Sequence, residues 1–415
     1  MENVDRRIAV VGAGYAGMAA AVTLVQRGVA VSVFEAGAVA GGRARRIPVA
    51  SAGQATELDN GQHILVGAYT ELLRLMGEVG VPRDALLRIP LEIRYVRGFH
   101  LRKAKLPPPL DLAGGLLAAR GIPLSDKLGA LRFMLRMKRL GFRLEDDIEV
   151  DELLRRQRQD GRIGHYLWRP LCVSALNTPS ADASANAFLA ALRDTLMSEP
   201  AASDLLLPRV DLSKLFPEPA VEFVRRHGAE VRLKESIQDL RKLKRDFSSI
   251  IVAVGPHQLK SVLPDLALDY TYQPIHTCYL QYAPGVKLPF PMLGFADGLV
   301  QWAFDRGALT GEHGLLAVVI SAQGDHQQLT QDELADACHR ELAAENIVGD
   351  KPLWTRVIAE KRATVTCGPR IKRPAAETQF PGVFLAGDYT DSEYPPTLEA
   401  AVRSGVRAAT MALKS

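Results

Sequence analysis

Residues 7–35 read RIAVVGAGYAGMAAAVTLVQRGVAVSVFE, and the order of residue types in this stretch decides the fold. Arg7 to Val11 is a short apolar run of strand character, and Gly12-Ala13-Gly14-Tyr15-Ala16-Gly17 follows it directly. An Ala-rich stretch of helical composition continues to Gly28, and a second β-rich run from Val29 to Phe34 ends on Glu35. A G-x-G-x-x-G turn between strand and helix, with an acid 18 residues beyond its last glycine, is the pattern of a dinucleotide-binding βαβ unit. Gly12 permits the tight turn, Gly14 lets a pyrophosphate approach the backbone, and Gly17 lets the helix pack close to the strand. The amides of the Ala13–Tyr15–Ala16 region, at the helix start, favour the pyrophosphate charge. Glu35, with Ala36 beside it, is placed to accept hydrogen bonds from ribose hydroxyls and would repel a 2′-phosphate.

The stretch immediately downstream, AGAVAGGRARR, places Gly41-Gly42-Arg43 just past Glu35. The glycine pair lets the chain run close to a ligand, and the planar fork of Arg43 suits a diphosphate. Near the other end of the chain, Phe380 to Leu385 is a strand running into Ala386-Gly387-Asp388-Tyr389, followed by a polar turn, Tyr394-Pro395-Pro396, and a helix from Thr397 to Leu413. Asp388 at a sheet edge is placed to accept a hydrogen bond from a ribityl chain. The amides at Thr397, Leu398 and the residues after them are placed to stabilise the negative charge of a reduced flavin. An NAD domain has no need of a second site of this kind, whereas an extended FAD does. Between these ends, Ala229 to Leu233 and Ser249 to Gly255 read as further strands, and Ile237 falls where the adenine would lie.

At 415 residues the chain is long enough for two or three domains, and 47% hydrophobic with 24% charged residues is ordinary for a globular protein. The net charge of +4, read as spread over the whole chain, gives no footprint for nucleic acid. No apolar run of about 18 residues and no signal pattern follow MENVDRR, which predicts a cytoplasmic protein. Cys172, Cys278, Cys338 and Cys367 are far apart with no C-x-x-C pair, predicting buried or inert thiols and no metal site.

Gly12 to Gly17, Glu35, Gly41-Gly42-Arg43 and Gly387-Asp388 together resemble the amine oxidase and carotenoid desaturase superfamily of flavoproteins. Three segments narrow the resemblance: DNGQHILVGAY at 59–69, WRPLCVSALNTP at 168–179 and GDYTD at 387–391 look like the hydroxysqualene dehydroxylases of bacterial hopanoid biosynthesis. The similarity runs essentially end to end. It implies an α/β chain with a Rossmann-like FAD-binding domain of the two-dinucleotide-binding type and an interleaved α+β substrate domain. FAD-binding pieces are expected near 1–95, 210–260 and 355–415, with substrate-domain pieces at 96–209 and 261–354. Ile275 to Tyr282 and Gly314 to Ser321 read as strands of a substrate-side sheet, and Thr330 with Glu333 as a capping box opening a helix through Glu345.

In that family reduced flavin replaces the hydroxyl of hydroxysqualene, a C30 isoprenoid, with hydrogen; the flavin's own reductant is not legible in the sequence. The resemblance puts Gly61-Gln62-His63 near the flavin, which makes His63 the expected proton donor to the departing hydroxyl. Asp391 and Tyr394 are alternates, and Asn177 is a candidate for positioning the hydroxyl. An oxidative desaturase of a polyene such as phytoene, or a non-catalytic prenyl-lipid carrier, would share the fold. Retention of Glu35, Arg43 and Asp388 speaks against the carrier. Finally, Arg132, Arg136, Arg139 and Arg143 are spaced by four, three and four within 127–144. Leu128, Leu131, Met134, Leu135 and Phe142 spread round the remaining faces, so this segment is expected to form a helix suited to peripheral contact with an anionic membrane.

Overall fold

The computed structural model describes residues 7–51, 54–107, 109–266 and 268–415. Its first sheet is parallel, with strands Glu230–Leu233, Ala30–Glu35, Arg7–Val11, Ser249–Val252 and Val383–Leu385 side by side in that order. Ile8 pairs with Val31 on one side and Ser249 on the other, and Ile250 pairs with Val383. The central strands are continuous apolar runs because both of their faces are covered, as parallel sheets require. The helix Tyr15–Val25 is buried almost all round, which explains its run of alanines. The C-terminal helix Leu398–Ala412 packs across it so closely that a Cβ on Gly405 would stand 2.0 Å from the Ala16 carbonyl oxygen.

A second sheet is antiparallel, ordered Met292–Gly294, Trp302–Asp305, Leu315–Ser321, Tyr272–Gln281 and Trp354–Val365. Its strands alternate in the manner of a sheet between two cores. Cys278, Leu280, Leu316 and Val318 face the helix Gln331–Ala344, while Tyr279, Ala317 and Val319 face a larger helical core around Phe133, Trp168 and Phe188. Thr330 caps the Gln331–Ala344 helix, its hydroxyl accepting from the Glu333 amide at 3.3 Å while the Glu333 carboxylate accepts from the Thr330 amide. Trp354–Val365 pairs along its length with Tyr272–Gln281, so the chain returns to the nucleotide-binding sheet after Val365 and not at 355. The pairing itself is the reason: a strand joined on its full length to the substrate-side sheet cannot leave it ten residues earlier. Among the described residues no helix is long and apolar enough to cross a membrane. All four cysteines are free and buried.

Candidate active site

One cavity of about 1290 Å³ runs from the glycine-rich turn into the helical core, and both sheets contribute to its walls. At its nucleotide end, Gly12 has φ +105°, and a Cβ there would stand 2.7 Å from the Ala253 carbonyl oxygen. A Cβ on Gly17 would meet the Gly12 carbonyl oxygen at 1.9 Å, so the helix start sits directly on the turn. Gly14 differs: the nearest protein atom to its Cβ would be the Gly42 Cα at 3.8 Å, and its open side faces the cavity. Gly41 bridges to Gly14, and its amide donates to the Ala13 carbonyl at 2.9 Å, so the two glycine-rich loops make one bare backbone floor. Such a floor admits a pyrophosphate where any side chain would exclude it.

Glu35 stands at the end of its strand with its carboxylate accepting from the Ala13 and Gly37 amides, each at 2.7 Å. Each oxygen keeps a further acceptor direction for a ribose hydroxyl. Ala36, Ile237 and Val254 line the far end beside it, where an adenine would rest on apolar surface. The residues present therefore fit FAD: a floor free of side chains, an acid for the ribose and an apolar slot.

At the other end of this trough Arg43 donates to Asp388 at 2.6 Å and to the Ala363 carbonyl at 2.6 Å. The expectation gave Arg43 to the diphosphate and Asp388 to the ribityl chain; in this structure they hold each other, and both line the cavity. Burial opposes the Arg43 charge, but Asp388, with Glu360 and Tyr272, together outweigh it and leave the guanidinium above its usual range. The pair ties the N-terminal loop to the C-terminal strand end across the cavity. The helix that follows is capped by Thr397, whose hydroxyl accepts from the Ala400 amide at 3.2 Å. Buried Glu399 accepts from the Glu71 and Leu72 amides at 3.0 and 2.8 Å and from Arg403 at 2.6 Å. One carboxylate thus caps the helix Thr70–Glu78 and fixes the start of the C-terminal helix at the cavity wall, where Thr397 and Leu398 lie.

The segment Asp59–His63 joins the two halves. Asp59 is buried and accepts from the Leu212 amide at 2.7 Å, while the Tyr279 hydroxyl donates to its carbonyl at 2.9 Å. Arg306, also buried, donates to Asp59 and to the Gln62 side chain at 3.3 Å each, and pairs with Glu312 at 2.7 Å. Burial pushes Asp59 up to about 6, with the Leu212 amide and Arg306 pulling the other way. Arg306 anchors Gly61, Gln62 and His63 against the cavity. Its role at the site was not marked in the sequence, because the two partners it holds there lie 244 and 247 residues away.

His63 lines the cavity with its Nδ1–H donating to the Gly61 carbonyl at 2.9 Å, since a carbonyl can only accept. Burial, and then the charge of Arg43, hold the imidazole below its usual pKa against the pull of that hydrogen bond. Nε2 is then bare when the ring is neutral and carries a proton only in the imidazolium. Tyr394 also lines the cavity; its hydroxyl pairs with Asp194 and Arg403 lies 4.7 Å over its ring. Asn177 ends a helix in the left-handed conformation, φ 46° and ψ 36°, at the cavity wall. Its amide is engaged by Thr364 at 3.0 Å and by the Ala322 backbone amide at 2.8 Å, which makes it a junction between helix and sheet. Asp391 is corrected: it is exposed on the polar turn, outside the cavity wall, because its backbone is drawn to Pro374 and Arg407.

Beyond His63 the cavity becomes an apolar chamber with Leu91, Ile93, Leu167, Phe188 and Leu192 in its walls. Trp168 and Trp302 also line it, their indole N–H groups already donating to Gln159 at 3.1 Å and Ser174 at 3.2 Å. The 168–179 segment supplies Leu171, Ser174 and Ala175 to this wall from the helix Arg169–Leu176.

The sequence model of the flavin containing amine oxidoreductase family matches residues 15–413. The hydroxysqualene dehydroxylases of Sinorhizobium fredii and Rhodopseudomonas palustris are 29% and 30% identical, each alignment covering 99% of both chains. Among solved structures, wild-type putrescine oxidase bound to putrescine superposes with a TM-score of 0.69 at 17% identity, covering 99% of each chain. That last likeness concerns the fold alone. The chain belongs to the flavin containing amine oxidoreductase family, is similar over nearly its full length to hydroxysqualene dehydroxylases, and is an FAD-dependent oxidoreductase.

Proposed function

We propose that this enzyme reductively dehydroxylates hydroxysqualene to squalene. The observation that carries the reading is the continuity of the cavity: the trough that fits FAD and an apolar chamber suited to a long hydrocarbon are parts of one cavity. The full-length similarity to hydroxysqualene dehydroxylases supports the same substrate class. In the reaction the allylic C–O bond breaks, a C–H bond forms at that carbon, and the hydroxyl takes a proton and leaves as water. When bound, reduced FAD supplies the hydride and is oxidised by two electrons.

The chain's own residues bind, shield and protonate. Apolar walls keep water from recapturing the carbon that loses its hydroxyl. Aromatic side chains in that wall, Trp168 and Trp302 among them, favour the positive charge developing there. His63 delivers the proton through Nε2–H as imidazolium, its ring held in place by the Nδ1–H bond to Gly61. A depressed pKa makes that imidazolium a stronger acid but a scarcer one at neutral pH. Turnover is therefore expected to rise as pH falls below the ordinary histidine value of 6.5. His63→Ala should flatten that rise and lower the acid-side rate by about a hundredfold while the flavin spectrum persists. A wild-type pH profile in the variant would remove the role.

The function itself is tested by anaerobic incubation of hydroxysqualene with the reduced holoenzyme, scored by mass spectrometry. Squalene is expected. Unchanged hydroxysqualene, with new double bonds in phytoene given to the oxidised enzyme, would establish an oxidative desaturase instead.

A further inference from the structure

The net charge is not evenly spread along the chain, in contrast to the expectation from the sequence. Residues 103–143 hold nine lysines and arginines and two aspartates, +7 against +4 for the whole chain, so the remainder carries a net −3. Seven of the ten large hydrophobic side chains exposed among the described residues fall within 106–140. Both excesses meet on the helices Leu110–Ala118 and Leu124–Arg139, which pack together and are joined where Lys127 donates to the Leu117 carbonyl at 2.8 Å.

The second helix is turned with Ala130, Phe133 and Met137 inward. Its outward centre is Leu124, Leu128, Leu131 and Leu135, spaced by four, three and four, of which Leu124 is 62% exposed and Leu135 58%. Arg132, Arg136 and Arg139 flank this stripe on one side, with Lys127 and Lys138 on the other. The helix ends at Arg139, ahead of Gly141 and Phe142 in the left-handed region, so Arg143 is not part of the row. Phe142 is buried and does not belong to the outer face. A leucine stripe between two rows of cations matches the layered chemistry of a bilayer surface, with acyl chains beneath anionic headgroups. A second copy of the chain would bring like charges together, which opposes self-association through this face.

The patch is also continuous with the cavity. Leu110 and Leu135, each 58% exposed, line it together with Leu131 and Lys138, and this marks the mouth between the two helices. The geometry points to the 106–140 face as a docking surface for an anionic lipid bilayer, which sets the cavity mouth against the membrane so that an apolar substrate passes from the acyl layer to the chamber without crossing water. The delivery half of this rests on the substrate class proposed above; the docking half does not.

The test uses the holoenzyme and vesicles of phosphatidylcholine with about a third phosphatidylglycerol. It should co-sediment with them at low ionic strength, be released as salt rises, and bind pure phosphatidylcholine far less. Leu124→Glu/Leu128→Glu and Arg136→Glu/Arg139→Glu, all outside the cavity wall, should each reduce partitioning about tenfold or more, with flavin absorbance and melting unchanged. An enzyme left in the supernatant at low salt overturns the proposal, as do variants that sediment like the parent. A dimer dissolved by the leucine variants without vesicle binding overturns it too, in favour of contact between copies. Vesicle binding needs no substrate, so its failure would leave the dehydroxylation reading standing, and a failed product assay would leave the docking surface standing.

Discussion

Arg306→Met is expected to lower the unfolding free energy by about 3–5 kcal/mol, the usual consequence of removing one partner from a buried ion pair. The side chain is almost wholly buried, and its loss strands Asp59, Gln62 and Glu312 together. The effect should depend on pH, with a definite sign. Asp59 titrates near 6 in the folded protein against 3.8 for an ordinary aspartate, so the folded state binds that proton more tightly. Its favourable contribution is full below about 3.8 and is lost as pH rises through about 6. Without Arg306 the carboxylate loses its nearest compensating charge, so the deficit should be largest at neutral pH and shrink on acidification. Adding Asp59→Asn to Arg306→Met should recover much of the loss, since the two groups are directly coupled. Thermal melting across pH 4 to 8 reads all of this; a variant that melts like the parent at neutral pH would mean Arg306 is not the anchor described.

Two glycines in the same turn separate packing from ligand access. Gly17→Ala forces a Cβ to within 1.9 Å of the Gly12 carbonyl oxygen, a backbone atom that cannot step aside. The turn and helix must part, at a cost of about 1–3 kcal/mol to the fold, and FAD should be lost with them. Gly14→Ala meets nothing closer than 3.8 Å within the protein, so melting of the flavin-free protein should be nearly unchanged. FAD affinity should still fall about tenfold to a hundredfold, because the methyl occupies the space a pyrophosphate needs. Titration with FAD, followed by flavin fluorescence, distinguishes the two. Equal loss of stability in both variants would contradict the assignment of Gly14 to the ligand.

The turn from Gly12 to Gly17 and the acid at Glu35 were legible because every part lies within one βαβ unit, where spacing alone carries the geometry. Gly387-Asp388 and Arg43 were each legible as cofactor-site residues, but their pairing was not, since it forms only when segments 345 residues apart meet. Arg306 and Glu399 were illegible for the same reason: each holds a segment more than two hundred residues away, Arg306 through the Asp59 and Gln62 side chains and Glu399 through the Glu71 and Leu72 amides. Asp391 and Tyr394 looked equivalent as residues after the Gly-Asp turn. The turn points one to solvent and the other to the chamber, which residue order could not decide. In the basic segment the four-three-four spacing of arginines implied a single stripe, yet Gly141 ends the helix before Arg143 and the leucines share the outer face. Hydrophobic residues on a helix are ordinarily read as its inner side, and here part of that rule fails where the cavity opens.

The direction of electron flow is the most direct test of the account. The holoenzyme, reduced anaerobically to one equivalent of bound reduced FAD, is mixed with hydroxysqualene while the flavin absorbance is followed. The account predicts that the oxidised flavin band returns in step with squalene, one equivalent for one. A flavin that stays reduced in the presence of hydroxysqualene, while the oxidised enzyme bleaches on adding phytoene, would contradict it.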